Sequence, residues 1–203
     1  MEDFVYILDY LPTGRPDEPR RKDPVAYALG ERNFVLLELA PKPGANMLVG
    51  DRVGVNKEPD SPVDHVRGRV RYEDITHAAQ SELPFVAEQA VKAQEERFVK
   101  FYNDAGPVSL RMHQLELLPG LGKKLMMAVL DDKKRHGAFK SFRDIDTRVK
   151  ALHQPEKLIT NRIVGEIQNP GEKYHLFALP PAPEHEDFGR GPRGPPRGGP
   201  GMR

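Results

Sequence analysis

The stretch Leu115-Glu116-Leu117-Leu118-Pro119-Gly120-Leu121-Gly122-Lys123-Lys124 runs from an apolar segment through a glycine hairpin into basic residues. Gly120 and Gly122 permit backbone conformations and close approaches that a Cβ forbids. Pro119 lacks an amide hydrogen and ends a helix before it, while Leu121 is placed to plug the gap between two helices. The helix that begins after the hairpin leaves its first amides without intrahelical acceptors. Those amides and the helix dipole favour an anion, and Lys123 and Lys124 add charge beside them. The expected occupant is a backbone phosphate of a nucleic acid, gripped by Pro119, Gly120, Leu121, Gly122, Lys123 and Lys124. A plain αα-hairpin whose glycines only make the turn is the alternative. A phosphate-loop nucleotide site does not match, because Leu117 stands where it needs a glycine and Lys124 where it needs a hydroxyl.

The order apolar-Pro-Gly-apolar-Gly at Leu118 to Gly122 resembles the helix-hairpin-helix motif, with Met126 where that motif has a small residue. Ser109 is expected to cap the first helix, running through Leu118. The second is predicted from Gly122 to His136, stopped by Gly137, with Lys133, Lys134 and Arg135 at the end where the dipole favours cations. Ser141-Phe142-Arg143-Asp144 has a capping-box pattern for a third helix, Gln154-Pro155 ends it, and Glu156 to Ile167 supplies a fourth. This second pair reads as a degenerate copy, with Leu152-His153-Gln154-Pro155-Glu156 in place of the glycine hairpin. Its expected task is to cover Leu125, Met126, Val129 and Leu130. Lys173 to Leu179 is expected to return as a short strand.

Towards the N-terminus the pattern changes to short β-rich runs at Phe4 to Leu8, Val25 to Leu29, Phe34 to Leu39, Arg52 to Val55 and Val66 to Tyr72. Five such strands predict a small barrel, with a polar mobile loop from Pro12 to Pro24. In the last run Arg67, Arg69 and Arg71 recur at every second position, so they share one strand face and are candidates for tracking phosphates. Pairing with the many nearby acids is the competing expectation. A single long helix follows, opened by Pro84 in its first turn and closed near Asn103 and Gly106, with Leu83, Val86, Ala90, Phe98 and Phe101 on one face.

The whole chain of 203 residues carries a formal net charge of +1, yet the charge is unevenly placed. Residues 1–106 sum to −5, residues 107–168 to +5 and residues 169–203 to +1. Screening confines charge effects to about 10 Å, so the middle segment presents a local positive field to polyanions. There is no cysteine, which excludes disulfides, thiolate nucleophiles and sulfur-bound zinc. The seven histidines lack ligand spacing, and no nucleophile elbow or dinucleotide loop is present, so no enzyme, metal or cofactor is expected. No window approaches the ~20 apolar residues of a membrane span, and a cytoplasmic protein is expected. The tail from Gly189 to Gly199 resembles arginine-glycine-rich RNA-binding segments, with Arg190, Arg193 and Arg197 as its contacts or else as a solubilising tether.

Beyond the hairpin, long stretches resemble DUF655, an archaeal family of RNA-binding candidates. They include Glu31-Arg32-Asn33-Phe34, Leu83-Pro84-Phe85-Val86, Arg97 to Asn103, Leu115 to Leu125, Ser141 to Ile145 and Lys173 to Phe177. The resemblance implies an OB-like barrel followed by helix-hairpin-helix units, gene neighbours that include a ribosomal protein and an rRNA dimethyltransferase, and no known reaction. The expected organisation is α+β: a barrel over 1–80, a linking helix over 81–106, a helix-hairpin-helix module over 107–179 and a disordered tail over 180–203. The expected function is non-catalytic binding of RNA, rRNA among the candidates. Binding of DNA structures in repair is the alternative, and an enzyme subunit whose site the sequence does not reveal is a third.

Overall fold

Strand-forming residues dominate the first part of the chain, and five strands form there. In the computed structural model, which describes residues 2–15, 23–55 and 60–180, these are β1 Phe4–Leu11, β2 Val25–Gly30, β3 Leu36–Pro41, β4 Arg52–Gly54 and β5 Val63–Arg69. All pair antiparallel in the order β4-β1-β2-β3-β5, which makes a curled half-barrel with β4 and β5 as its edges. β2 and β3 are buried along their whole length because both faces of the sheet are covered. Val5, Ile7, Ala26, Ala28, Leu37 and Leu39 fill the inner face with Met47 and Val63. Tyr6, Leu8, Val25, Tyr27 and Leu29 point the other way, towards the helices.

Helix α1 spans His77–Ala93 and α2 Glu95–Asp104. Thr76 caps α1 by accepting the Ala79 amide, and its hydroxyl donates to Asp9 Oδ2 on β1 at 2.5 Å, which sets the helix on the sheet. The chain therefore enters the helix earlier than Pro84 suggests. Pro84 lies inside α1 on its exposed side, where water can solvate the carbonyl that loses its donor. The single long helix of the sequence reading is broken at Gln94, whose side-chain amide donates to the Glu31 and Ala90 carbonyls. The break turns Phe98, Val99 and Tyr102 of α2 into the core.

The expected helix from Ser109 to Leu118 does not form. Residues Pro107–Ser109 (β6) and Met112–His113 (β7) pair as a small hairpin, followed by a 3-10 turn at Gln114–Leu117. Ser109 spends its hydroxyl on the Arg111 amide, and the Gln114 side chain accepts the Gly106 amide. Such local side-chain bonds compete with a helix and here they win. The remaining helices are α3 Lys123–His136, α4 Phe142–Arg148 and α5 Pro155–Gln168. Gly137 closes α3 at φ 82°, and Ser141 caps α4 by accepting the Asp144 amide.

One apolar cluster joins the outer sheet face, α1, α2 and the later helices, from Tyr6 to Ile163 and Ala178. Polar side chains of α2 lock this assembly. The Tyr102 hydroxyl donates to the Pro155 carbonyl at 2.9 Å, Asn103 exchanges two bonds with the Phe139 backbone, and Glu95 accepts the Phe142 amide. Burial, followed by the charge of Glu156, holds the Tyr102 phenol far above its ordinary range.

The strand expected at Lys173 to Leu179 is also absent. The Glu166 carboxylate collects the amides of Leu176, Phe177 and Ala178 at 2.7, 3.0 and 2.8 Å, so those amides converge on one point instead of forming a ladder. Glu166 is 1% exposed and takes a fourth bond from Arg162 Nε at 2.7 Å. Removing a buried charge from such a set strands its partners and costs about 3–5 kcal/mol. Glu166→Ala is therefore expected to lower stability by about 3 kcal/mol or more in urea unfolding, whereas a change within experimental error would contradict this role.

Candidate functional site

The hairpin is anchored at both ends by buried leucines. Leu118 and Leu121 are each 1% exposed, and the Leu121 amide donates to the Leu118 carbonyl at 3.0 Å, closing a four-residue turn. Pro119 and Gly120 occupy its two central positions, and Gly120 has φ 87°, as a type II turn requires of its third residue. A Cβ on Gly120 would meet only Leu158 Cδ2, at 3.7 Å, so backbone conformation and not space demands glycine there. The same contact seats the turn on the early part of α5. Sequence spacing did not reveal Leu158 as a neighbour of the hairpin.

Gly122 is different. It is the N-cap of α3 with φ −75° and ψ 174°, which any residue adopts, and nothing lies within 4 Å of a Cβ built on it. No side chain caps the helix. The Met126 amide reaches the Gly122 carbonyl at 3.0 Å, while the amides of Gly122, Lys123, Lys124 and Leu125 have no acceptor among the described residues. Pro119, Gly120, Gly122, Lys123 and Lys124 are all exposed. Four open amides at a helix N-terminus beside two uncommitted ammonium groups can take an anion.

The second turn lies three residues earlier than the sequence reading placed it, at Val149–Leu152, where the Leu152 amide donates to the Val149 carbonyl at 2.8 Å. Val149 and Leu152 are buried as Leu118 and Leu121 are. Lys150 and Ala151 replace Pro119 and Gly120. At its mouth the Gln154 amide donates to Asp146 Oδ1 at 3.3 Å, and His153 Nδ1 stands 3.7 Å from the same oxygen. A carboxylate of the chain itself thus occupies the place that is open at the first turn.

The three strand arginines do not act as one face. The β3–β5 ladder skips Arg67 between Leu39↔Val66 and Glu38↔Gly68, and the guanidinium donates to Glu38 Oε1 at 3.0 Å and to the Pro24 carbonyl at 3.1 Å. Glu38 is 9% exposed and also pairs with Arg15, so this ion pair belongs to the sheet. Arg71 lies beyond β5 and binds Asp74 across the 3-10 turn Tyr72–Asp74. Arg69 is exposed on the sheet edge. Arg190, Arg193, Arg197 and the basic run Arg20 to Lys22 lie outside the described residues. Among the described residues no group of acids and histidines is placed to hold a metal, and no helix is long and apolar enough to cross a membrane.

The family model described as "Protein of unknown function (DUF655)" matches residues 1–179. The uncharacterized protein MJ0038 of Methanocaldococcus jannaschii is 40% identical over 177 residues, covering 87% of this chain and 79% of that protein. The crystal structure of Af1531 from Archaeoglobus fulgidus superposes with a TM-score of 0.82 at 47% identity, covering 88% of this chain and all of that one.

His113 caps the turn that leads into the hairpin. Its Nδ1 accepts the Leu115 amide at 3.2 Å, capping the 3-10 turn that leads to Leu118. Desolvation and then Lys133 lower its pKa from 6.5, against the pull of Glu116. A base whose folded value is depressed contributes fully above its unfolded value and loses that contribution as pH falls through the folded one. Stability is expected to decline on acidification below that ordinary value, and His113→Asn, which keeps an acceptor without titrating, is expected to lessen the decline in urea midpoints. An identical acid limb in the variant would contradict the assignment.

Proposed function

The chain belongs to the DUF655 family, and we propose for it a function carried by the hairpin: non-catalytic binding of RNA through backbone phosphate at Pro119 to Lys124. On this reading the half-barrel is an OB-like support and the turn at Val149–Leu152 a second, structural helix-hairpin-helix unit. The observation that carries the proposal is the contrast between the two glycines. Gly120 is demanded by the turn, but the fold makes no demand for a glycine at Gly122, where the space is open and the neighbouring amides are free. A phosphate approaching those amides explains it. The contrast with Asp146 at the second turn supports the same reading, because the anion position there is filled internally.

Contacts of this kind position a nucleic acid without reading its bases. The Arg-Gly-Pro composition of residues 189–199 favours RNA over duplex DNA, and rRNA maturation in the cytoplasm is the setting we favour. Arg69 is the strand arginine best placed to add a phosphate contact.

Lys123→Glu combined with Lys124→Glu is expected to weaken binding of a structured RNA by about tenfold or more and to reduce the salt slope by about 1–2. Gly122→Ala is expected to weaken binding several-fold while changing stability by less than about 1 kcal/mol. Filter binding across a salt series, with urea unfolding in parallel, checks both. An unchanged slope in the double variant refutes the clamp, and tighter binding of duplex DNA at equal salt refutes the choice of RNA.

A further inference from the structure

A second site stands apart from the hairpin, where the β2–β3 turn meets the α1–α2 break. A cavity of about 620 Å³ opens there, within the size range of small-ligand sites, and its charged lining is Arg32, Arg52 and Arg97 together with Glu2, Glu31 and Asp3, the last of which also has a partner. It shares no residue with Pro119 to Lys124.

The charges around it divide into committed and uncommitted groups. Arg52 is committed: it forms a two-pronged pair with Glu31 at 2.7 and 2.9 Å and lies over the Phe4 ring. Glu2, 5% exposed, is committed to the Arg32 and Asn33 amides at 2.7 and 2.8 Å. Arg97 is not. Its guanidinium rests against the Phe34 and Phe98 rings and donates only to the neutral Gln94 Oε1, at 2.9 Å. Arg97 is exposed at the cavity mouth, and its packing against the two rings lowers its pKa from the ordinary value, with Glu2 opposing that shift and Arg32 adding to it. Arg32 is exposed and has no ion-pair partner among the described residues. Two guanidinium groups thus border one cavity without a carboxylate bound to either.

The turn that presents Arg32 and Asn33 is held in an unfavourable shape. Phe34, fully buried, has φ 49°, a conformation that a bulky residue adopts only when its surroundings enforce it. The Glu2 carboxylate on two amides and the Leu179 amide on the Asn33 carbonyl, at 2.9 Å, supply that enforcement. Strain maintained by so many bonds fixes the direction of the two side chains that face the cavity.

We propose that this cavity binds the phosphate group of a phosphomonoester, with Arg97 and Arg32 donating to its oxygens. A phosphomonoester carries about −1.5 to −2 charges at neutral pH, which matches two unpaired guanidinium groups better than a carboxylate does. The source is either a free mononucleotide or the 5′-phosphate end of an RNA. Calorimetric titration of the full chain with inorganic phosphate, AMP, adenosine, and a dinucleotide with and without 5′-phosphate separates these. AMP and the phosphorylated dinucleotide are expected to bind, adenosine and the hydroxyl-ended dinucleotide not. The tighter of the two binders identifies the source. Arg97→Gln and, independently, Arg32→Gln are expected to weaken that binding at least tenfold, while Lys123→Glu with Lys124→Glu leaves it unchanged. The proposal is overturned if no phosphate-bearing probe binds, if both arginine variants bind as the parent does, or if the lysine variant abolishes binding.

Discussion

The buried hydroxyl of Tyr102 donates to the carbonyl of Pro155, the first residue of α5, and the helical half of the protein is arranged around that bond. It ties α2 to α5 inside the apolar cluster that covers the outer face of the sheet. One residue later, Asn103 holds the Phe139 backbone with its side chain and takes a bond from Lys133 at its carbonyl, which fixes the far end of α3. With that end fixed and Leu118 and Leu121 buried at the other, the start of α3 has a defined direction. The exposed hairpin is therefore carried by a core that also holds the sheet. The sheet and the helices share this core.

Much of the fold was legible because its signals are local. Valine, leucine and tyrosine runs mark four of the five strands closely, and Gly137 and Ser141 mark the end of α3 and the start of α4. What was not legible depends on partners distant in sequence. Glu166 gathers amides ten to twelve residues away, which turns an apparent strand into a loop wrapped on a carboxylate. The break at Gln94 follows from a bond to Glu31, 63 residues earlier. The helix expected after Ser109 fails for a subtler reason: the same hydroxyl that caps helices also closes turns, and the pattern does not tell which backbone amide it meets.

The candidate site shows the same division. Gly120, Leu121 and Gly122 could be read in place because the turn, the plug and the helix start are all made within a few residues. Arg67 could not, since its partner Glu38 lies 29 residues away on another strand. Nor could Leu158, which the fold brings against Gly120 from α5. Charge alone was a poor guide to the second turn, where Asp146 closes an arrangement that the sequence only suggested was degenerate.

Amide chemical-shift mapping of the isotopically labelled protein during titration with a structured RNA tests the central claim most directly. The account predicts that Gly120, Gly122, Lys123 and Lys124 respond first and most strongly, with Lys150 and Ala151 of the second turn little affected. Shifts confined to β5 and the sheet face, with the hairpin amides unmoved, would contradict it.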